Sequence, residues 1–233
     1  MYIFRGIVRR IGDKRVTDGD TIRVELINPP VILKRVQHRG RVRLWGIDAP
    51  EMHYRGRTQG KLAHEAYEYL RSLLSNGDEV EIHTGVDAVD KHGRILGRVI
   101  KDGVDINLAL LRNGYAVLYQ IYPNLDHFDE YRAAFMEAMR ERRGLFTNGD
   151  ELELPFEFRM RVDGRLPHKY VADCETGWFY EPIEYPFVPV ANRIFFFTRN
   201  DAVRCGYRYR RRAYIRVANR RLLQWVQTEY KRR

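Results

Sequence analysis

Arg41-Val42-Arg43-Leu44-Trp45-Gly46-Ile47-Asp48-Ala49-Pro50-Glu51 reads as a strand that runs into a loop. Val42 and Leu44 alternate with Arg41 and Arg43, the period-two pattern of a strand with one face buried and one wet. A strand is expected over Arg41–Ile47, ended where Asp48-Ala49-Pro50 leaves the extended course. The same alternation occurs upstream in Tyr2–Val8 and Thr21–Leu26, and downstream in Glu79–His83 and Ile95–Ile100. Between the third and fourth strands, Thr58–Leu74 has the periodicity of an amphipathic helix, with Asn76-Gly77 as its stop. Lys101-Asp102-Gly103-Val104 is a tight-turn signal. After it, Ile106, Leu108, Leu110 and Leu111 fall at helical spacing before Asn113-Gly114. A third helix is predicted over His127–Arg143, with Asp126 as N-cap and Gly144 beyond its end. Five strands with one helix between the third and fourth suit an α+β, mainly β architecture. The expected form is a five-stranded Greek-key barrel of the OB type carrying about three helices. Pattern alone leaves other α+β arrangements open.

Helical periodicity stops near Thr147–Leu154, which divides the chain into residues 1–148 and a small basic, aromatic α+β module over 149–233. Within that module, Trp178 to Val190 is aromatic and Pro-rich. Arg193–Thr198 reads as a buried strand, and Thr198–Gly206 and Ile215–Tyr230 as helices. The 233 residues contain no apolar run of eighteen, so no segment is expected to span a bilayer and no membrane partner is expected. The first ten residues alternate and lack a secretory leader's apolar core, and Cys174 and Cys205 are the only cysteines. A soluble, cytoplasmic protein is the expectation.

Charge is concentrated at one end. The chain carries 41 Lys and Arg against 31 Asp and Glu. Residues 204–233 hold eleven bases and one acid, 11 − 1 = +10, so the remainder sums to zero. Arg208, Arg210, Arg211 and Arg212 are interleaved with Tyr207, Tyr209 and Tyr214, a combination suited to phosphates and bases. Nucleic acid is the expected partner for these four arginines. A membrane surface or an acidic protein stays open as an alternative.

Three short motifs carry the chemistry: Asp18-Gly19-Asp20-Thr21, the Arg43–Glu51 segment, and Asp90-Lys91-His92-Gly93-Arg94. Singly, each is a common turn. Jointly they supply what phosphodiester hydrolysis needs. The carboxylates of Asp20 and Asp48 and the Ala49 carbonyl are hard oxygen donors suited to one Ca²⁺ ion. Glu51 could hold and deprotonate a water beside it. Arg43 and Arg94 could clamp a phosphate and stabilise a five-coordinate phosphorus.

On these motifs, residues 1–146 resemble the staphylococcal nuclease family. Arg43 stands five residues before Asp48, and Asp102-Gly103 with Val104–Gly114 matches the family's second helix. The resemblance implies an OB barrel and calcium-dependent hydrolysis of DNA and RNA at the P–O5′ bond, leaving 3′-phosphate and 5′-hydroxyl ends. It places Asp18 behind the metal-binding Asp20 and Asp48, makes Glu51 the base and Arg43 and Arg94 the clamps, and turns Lys91, His92 and Tyr122 toward substrate. Ala49 departs from the family's threonine and His92 from its tyrosine. Gln120 occupies the position that usually accompanies the substrate tyrosine. The alternative is a non-catalytic nucleic-acid-binding barrel, which would have no use for this set of acids and arginines.

Asn192–Arg208, preceded by Asp173-Cys174, faintly resembles Ada-type zinc modules. Those need four soft ligands, and His168, Cys174 and Cys205 make three at most, so zinc is not expected. Two thiols buried in a core are the expectation instead.

Overall fold

Alternation closes into a barrel in the computed structural model, which describes residues 1–9, 16–33, 39–147 and 152–210. The chain divides into two units, Met1–Phe156 and Glu157–Arg233.

The first unit runs β1 (Ile3–Val8), β2 (Val16–Asp18), β3 (Thr21–Ile27), β4 (Arg39–Leu44), β5 (Gly46–Asp48), α1 (Lys61–Leu73), β6 (Glu79–Val89), β7 (Ile95–Lys101), β8 (Val104–Asp105), α2 (Ile106–Arg112), β9 (Val117–Ile121) and α3 (Phe128–Arg140). Five strands pair in the order β1–β6–β7–β4–β3, and β3 returns to β1 to close an OB-type barrel. All pairs around it are antiparallel except β4–β7, which is parallel. Val24, Leu26, Val42, Leu44, Ile82, Ile95 and Val99 form its buried lining. Each contributes about 1.5–3 kcal/mol by leaving water.

The expected strand Arg41–Ile47 breaks at Trp45. Gly46 takes φ 79°, and its missing side chain leaves room for Gln120 and Tyr131, which a Cβ would meet at 2.9 and 3.0 Å. The chain therefore leaves the barrel at Leu44, and β5 pairs with β9 instead. The hairpin between β7 and β8 turns through Asp102 and Gly103, both at positive φ, as the tight-turn signal requires. Asp105 caps α2, its carboxylate accepting from the Leu108 amide at 3.0 Å. Asp126 does not cap α3. His127 takes that place in a left-handed conformation with no side-chain cap, and Asp129 and Glu130 supply the first turn's negative charge. Helix α3 ends at Arg140 rather than Arg143, and α1 starts at Lys61 after Gly60 at φ 68° rather than at Thr58.

Helix α4 (Pro155–Asp163) begins two residues before the second unit and leads to β10 (Tyr170–Asp173), β11 (Trp178–Tyr180), β12 (Arg193–Phe196), α5 (Arg199–Arg204) and β13 (Arg208–Tyr209). Strand β10 pairs antiparallel with β11 and β12, and β11 pairs in parallel with β13. Phe179, Tyr185 and Phe196 are fully buried. Thr198 caps α5 through the Asp201 amide. The predicted helix Ile215–Tyr230 lies outside the described residues. Among the described residues, no helix is long and apolar enough to cross a membrane.

Gly114 ends α2 with φ 72°, and a Cβ there would lie 2.2 Å from the Arg143 carbonyl oxygen. Because that neighbour is backbone, Gly114→Ala is expected to destabilise the first unit by about 2–4 kcal/mol, combining left-handed strain with overpacking. Urea denaturation measures it, and a loss under about 1 kcal/mol would contradict the contact.

Candidate active site

Barrel registry brings the three motifs together. Thr21 of β3 pairs with Arg43 of β4, and Ile95 of β7 pairs with Val42 of β4. Asp20 and Arg94 each precede one of those partners by one residue, so both reach the same stretch of β4.

The centre is Arg43. Its Nη2 donates to Asp48 Oδ1 at 2.8 Å and lies 3.0 Å from Asp20 Oδ2. Its Nη1 donates to the carbonyls of Leu44 and Ile47, the latter at 2.9 Å, and so spans the turn that breaks the strand. Asp48 is 0% and Asp20 5% exposed. Two carboxylates buried that deeply depend on a partner charge, since isolated ones carry a penalty of several kcal/mol each. Asp20 is also tied to the neighbouring motif: Oδ2 accepts from the Ala49 amide at 2.9 Å and Oδ1 from the Thr21 hydroxyl at 3.1 Å. Gly19 permits this approach, because a Cβ there would meet the Ala49 and Ala66 methyl carbons at 2.8 and 3.0 Å. The alanine at 49 is thus a packing partner of the Asp18–Asp20 turn.

Burial pushes the Asp18 carboxyl above the ordinary aspartate range, and the charge of Asp20 pushes it the same way; Arg43, Arg94 and His53 pull it back. These five groups share one electrostatic environment. Arg94 is held from behind by Asp90, whose Oδ2 accepts from Nε at 2.8 Å and lies 2.7 Å from Nη2. The other oxygen, Oδ1, accepts from the amides of His92 and Arg94. Burial raises the Asp90 carboxyl, but these hydrogen bonds and the Arg94 charge outweigh it and hold the group below its usual range. The loop 90–94 is therefore a small rigid cradle for one guanidinium.

Glu51 follows Asp48 on the loop leaving β5. Its amide donates to Gln59 Oε1 at 2.9 Å and its carbonyl accepts from the Gln59 amide at 2.9 Å, which fixes the backbone that carries the half-buried side chain. Lys91 and His92 are exposed at the tip of the Asp90–Arg94 turn. Tyr122 lies beyond the end of β9. Asp48 pairs with Val117, so Tyr122 is five residues further along, roughly 16 Å at strand rise. Tyr119, opposite Gly46, is the nearer tyrosine of that strand. Gln120 is wholly buried. Arg208 and Arg210 are exposed in the second unit, and Arg211 and Arg212 lie outside the described residues. Cys205 is exposed and Cys174 half-buried, so the thiols do not form the expected buried pair. Cys205 is surface-facing because it ends the short helix α5. Sequence reading gives Asp90 no role of its own within its motif and does not single out Gln59 or His53. An Asp four residues before an Arg within one turn was the available signal for Asp90. Nothing local marked Gln59 or His53.

A family model described as staphylococcal nuclease homologue matches residues 41–148, which hold the strand β4, the Asp48–Glu51 loop and the Asp90–Arg94 turn. Residues 41–148 belong to the staphylococcal nuclease family. Endonuclease YhcR of Bacillus subtilis is 35% identical over 208 residues, covering 85% of this chain and 16% of that protein. A protein described as probable endonuclease LCL3 from Clavispora lusitaniae is 30% identical over 125 residues, 51% of this chain and 52% of its own length. The Candida tropicalis protein of the same description matches at 30% over 125 residues. The chain thus spans about a sixth of the first relative and half of the fungal ones. The span matched by the family model holds Arg43, Asp48, Glu51 and Arg94, and Asp18 and Asp20 precede it.

Arg43 is the counter-charge for two buried acids, so Arg43→Met is expected to destabilise the protein by about 3–5 kcal/mol in chelator. Asp48→Asn, which keeps the shape and removes surplus negative charge, is expected to change stability by less than about 1 kcal/mol. Equal losses in urea melts of the two variants would contradict this asymmetry.

Proposed function

We propose that the barrel is a calcium-dependent nuclease that hydrolyses DNA, and RNA as a second substrate, leaving 3′-phosphate and 5′-hydroxyl ends. The observation that carries the reading is the single Arg43 nitrogen shared between Asp20 and Asp48 inside the barrel rim. Both carboxylates face one point. Asp18, Asp20 and Asp48 set three negative charges against one positive, 3 − 1 = 2 in surplus, while Arg94 is already matched by Asp90. A buried anionic excess of hard oxygens fits a divalent cation of the calcium type. Among the described residues, no group of three or more His, Cys, Asp or Glu side chains converges to hold an ion by itself. Asp20, Asp48 and the Ala49 carbonyl would hold it together with water. When bound, the ion supplies positive charge for the phosphate oxygens and lowers the pKa of adjacent water.

The protein's own groups then have separable tasks. Glu51 accepts the proton of the attacking water, its backbone fixed by Gln59. Arg94, braced by Asp90, presents charge where negative charge grows on the phosphoryl oxygens. Preorientation matters here because no reorganisation is needed at the moment of reaction. Arg43, paired with both Asp20 and Asp48, adds a second positive group. Asp18 adds a further negative charge beside Asp20. The YhcR and LCL3 names, both endonucleases, support cleavage within strands for this chain. Lys91, His92 and the arginines at 208, 210, 211 and 212 are proposed to hold the polymer.

Plasmid and single-stranded DNA are expected to be cut with Ca²⁺ and spared in chelator, read by gel. Glu51→Gln is expected to lose about 10²–10⁴-fold in kcat, and Arg94→Ala about 10²–10³-fold. Asp90→Asn is expected to lose part of what Arg94→Ala loses, with KM little changed. Undiminished cleavage in chelator, or by Glu51→Gln, would sink the mechanism.

A further inference from the structure

The second unit carries two kinds of stacked arginine. Arg199 lies over Tyr209, 4.6 Å from guanidinium carbon to ring centroid, and is also 5.6 Å from the Tyr170 ring. It is neutralised by Glu181, which also accepts from the Tyr209 hydroxyl at 2.8 Å. That arrangement is closed. Trp178 is different. It opens β11 in parallel register with Arg208 of β13, so the two side chains share a face, and Arg210 returns to it two residues later. The Arg208 guanidinium carbon lies 4.3 Å and that of Arg210 5.5 Å from the Trp178 ring. Both arginines are exposed and the indole is half-buried. Among the described residues, neither guanidinium pairs with a carboxylate.

Two uncompensated guanidiniums held against one indole form a preordered cationic stack. The Arg210 backbone is itself fixed, its amide donating to the Phe179 carbonyl at 2.9 Å. Such groups offer outward N–H donors to phosphates and a flat surface to a base, with little side-chain freedom left to lose. Bases in a duplex already have both faces covered, whereas a single strand can lay one on the stack. We propose that Trp178, Arg208 and Arg210 form a second nucleic-acid site, which binds single strands by stacking and phosphate contact. This rests on the reading of nucleic acid as substrate, and it adds a site built from residues of the second unit. Sequence continuity supports it, because Arg211 and Arg212 follow directly and the last thirty residues carry the whole net charge.

The test uses the full chain in chelator, where binding is read without cutting. Fluorescence anisotropy is followed with a labelled oligothymidylate of about 16 nucleotides and with a duplex of equal length. Trp178→Ala and the double variant Arg208→Ala/Arg210→Ala are each expected to weaken single-strand binding on the order of 10-fold. The duplex is expected to be affected less, and Trp178→Phe should retain most of the affinity. The double variant should lower the salt slope by about 1.4, two charges at roughly 0.7 each. Circular dichroism melts identify a variant that fails to fold, and the phenylalanine variant then carries the comparison with the arginine pair. Unchanged affinity and slope, equal losses on duplex, or equally strong displacement by polyglutamate would overturn the proposal. Dinucleotide cleavage with Ca²⁺ reads the barrel chemistry independently: if it is absent while the binding losses hold, the hydrolytic reading fails and the stacking site stands.

Discussion

One guanidinium holds the barrel rim in place. Arg43 joins two buried acids from different motifs and, through its other nitrogen, two carbonyls that border the Leu44–Gly46 turn. Without it, Asp20 and Asp48 would be uncompensated charges in an apolar setting, and the chain would lose the link between the end of β4 and the start of β5. The residue that best satisfies local electrostatics is thus also the one proposed to meet the phosphate. Sites of this type keep charge in surplus and tolerate it through a small number of strong partners.

The architecture was readable because period-two alternation survives in every barrel strand, and because Gly and Asn mark the helix ends. What escaped was geometry set by distant contacts. The strand predicted over 41–47 has unbroken alternation, yet Gly46 turns it, since Gln120 and Tyr131 fill the volume its side chain would need. Nothing within a few residues of Gly46 reports them. Asp126 looks like a helix cap, but the left-handed turn at His127 moves the start by one residue. The acids and arginines of the site were legible as types and spacings. Their neighbours, Asp90 excepted, were not, because Gln59, which fixes the Glu51 backbone, and His53, which acts electrostatically on Asp18, come to them through folding rather than through a motif. The tyrosine placed near substrate by resemblance, Tyr122, shows the limit of counting along a strand. Pairing register puts Tyr119 nearer to Asp48.

The second unit shows how similar chemistry diverges with context. Arg199 and Arg208, nine residues apart, both stack on aromatic rings. One faces Glu181 and becomes part of the scaffold. The other faces no acid among the described residues and keeps its full charge. Counting arginines would not separate them; the location of a single glutamate does.

The parallel pairing of β4 with β7 has a further consequence. In a hairpin, the loop between two strands sets their alignment, so adding or deleting a residue slides one past the other. Here some fifty residues, with the helix α1 and the strands β5 and β6, intervene between Arg43 and Arg94, while ladder hydrogen bonds fix the offset of β4 and β7. Insertions and deletions over 52–78 can therefore reshape the approach to the rim while the spacing of the two cations stays constant. That leaves the surroundings free to diversify around an invariant pair.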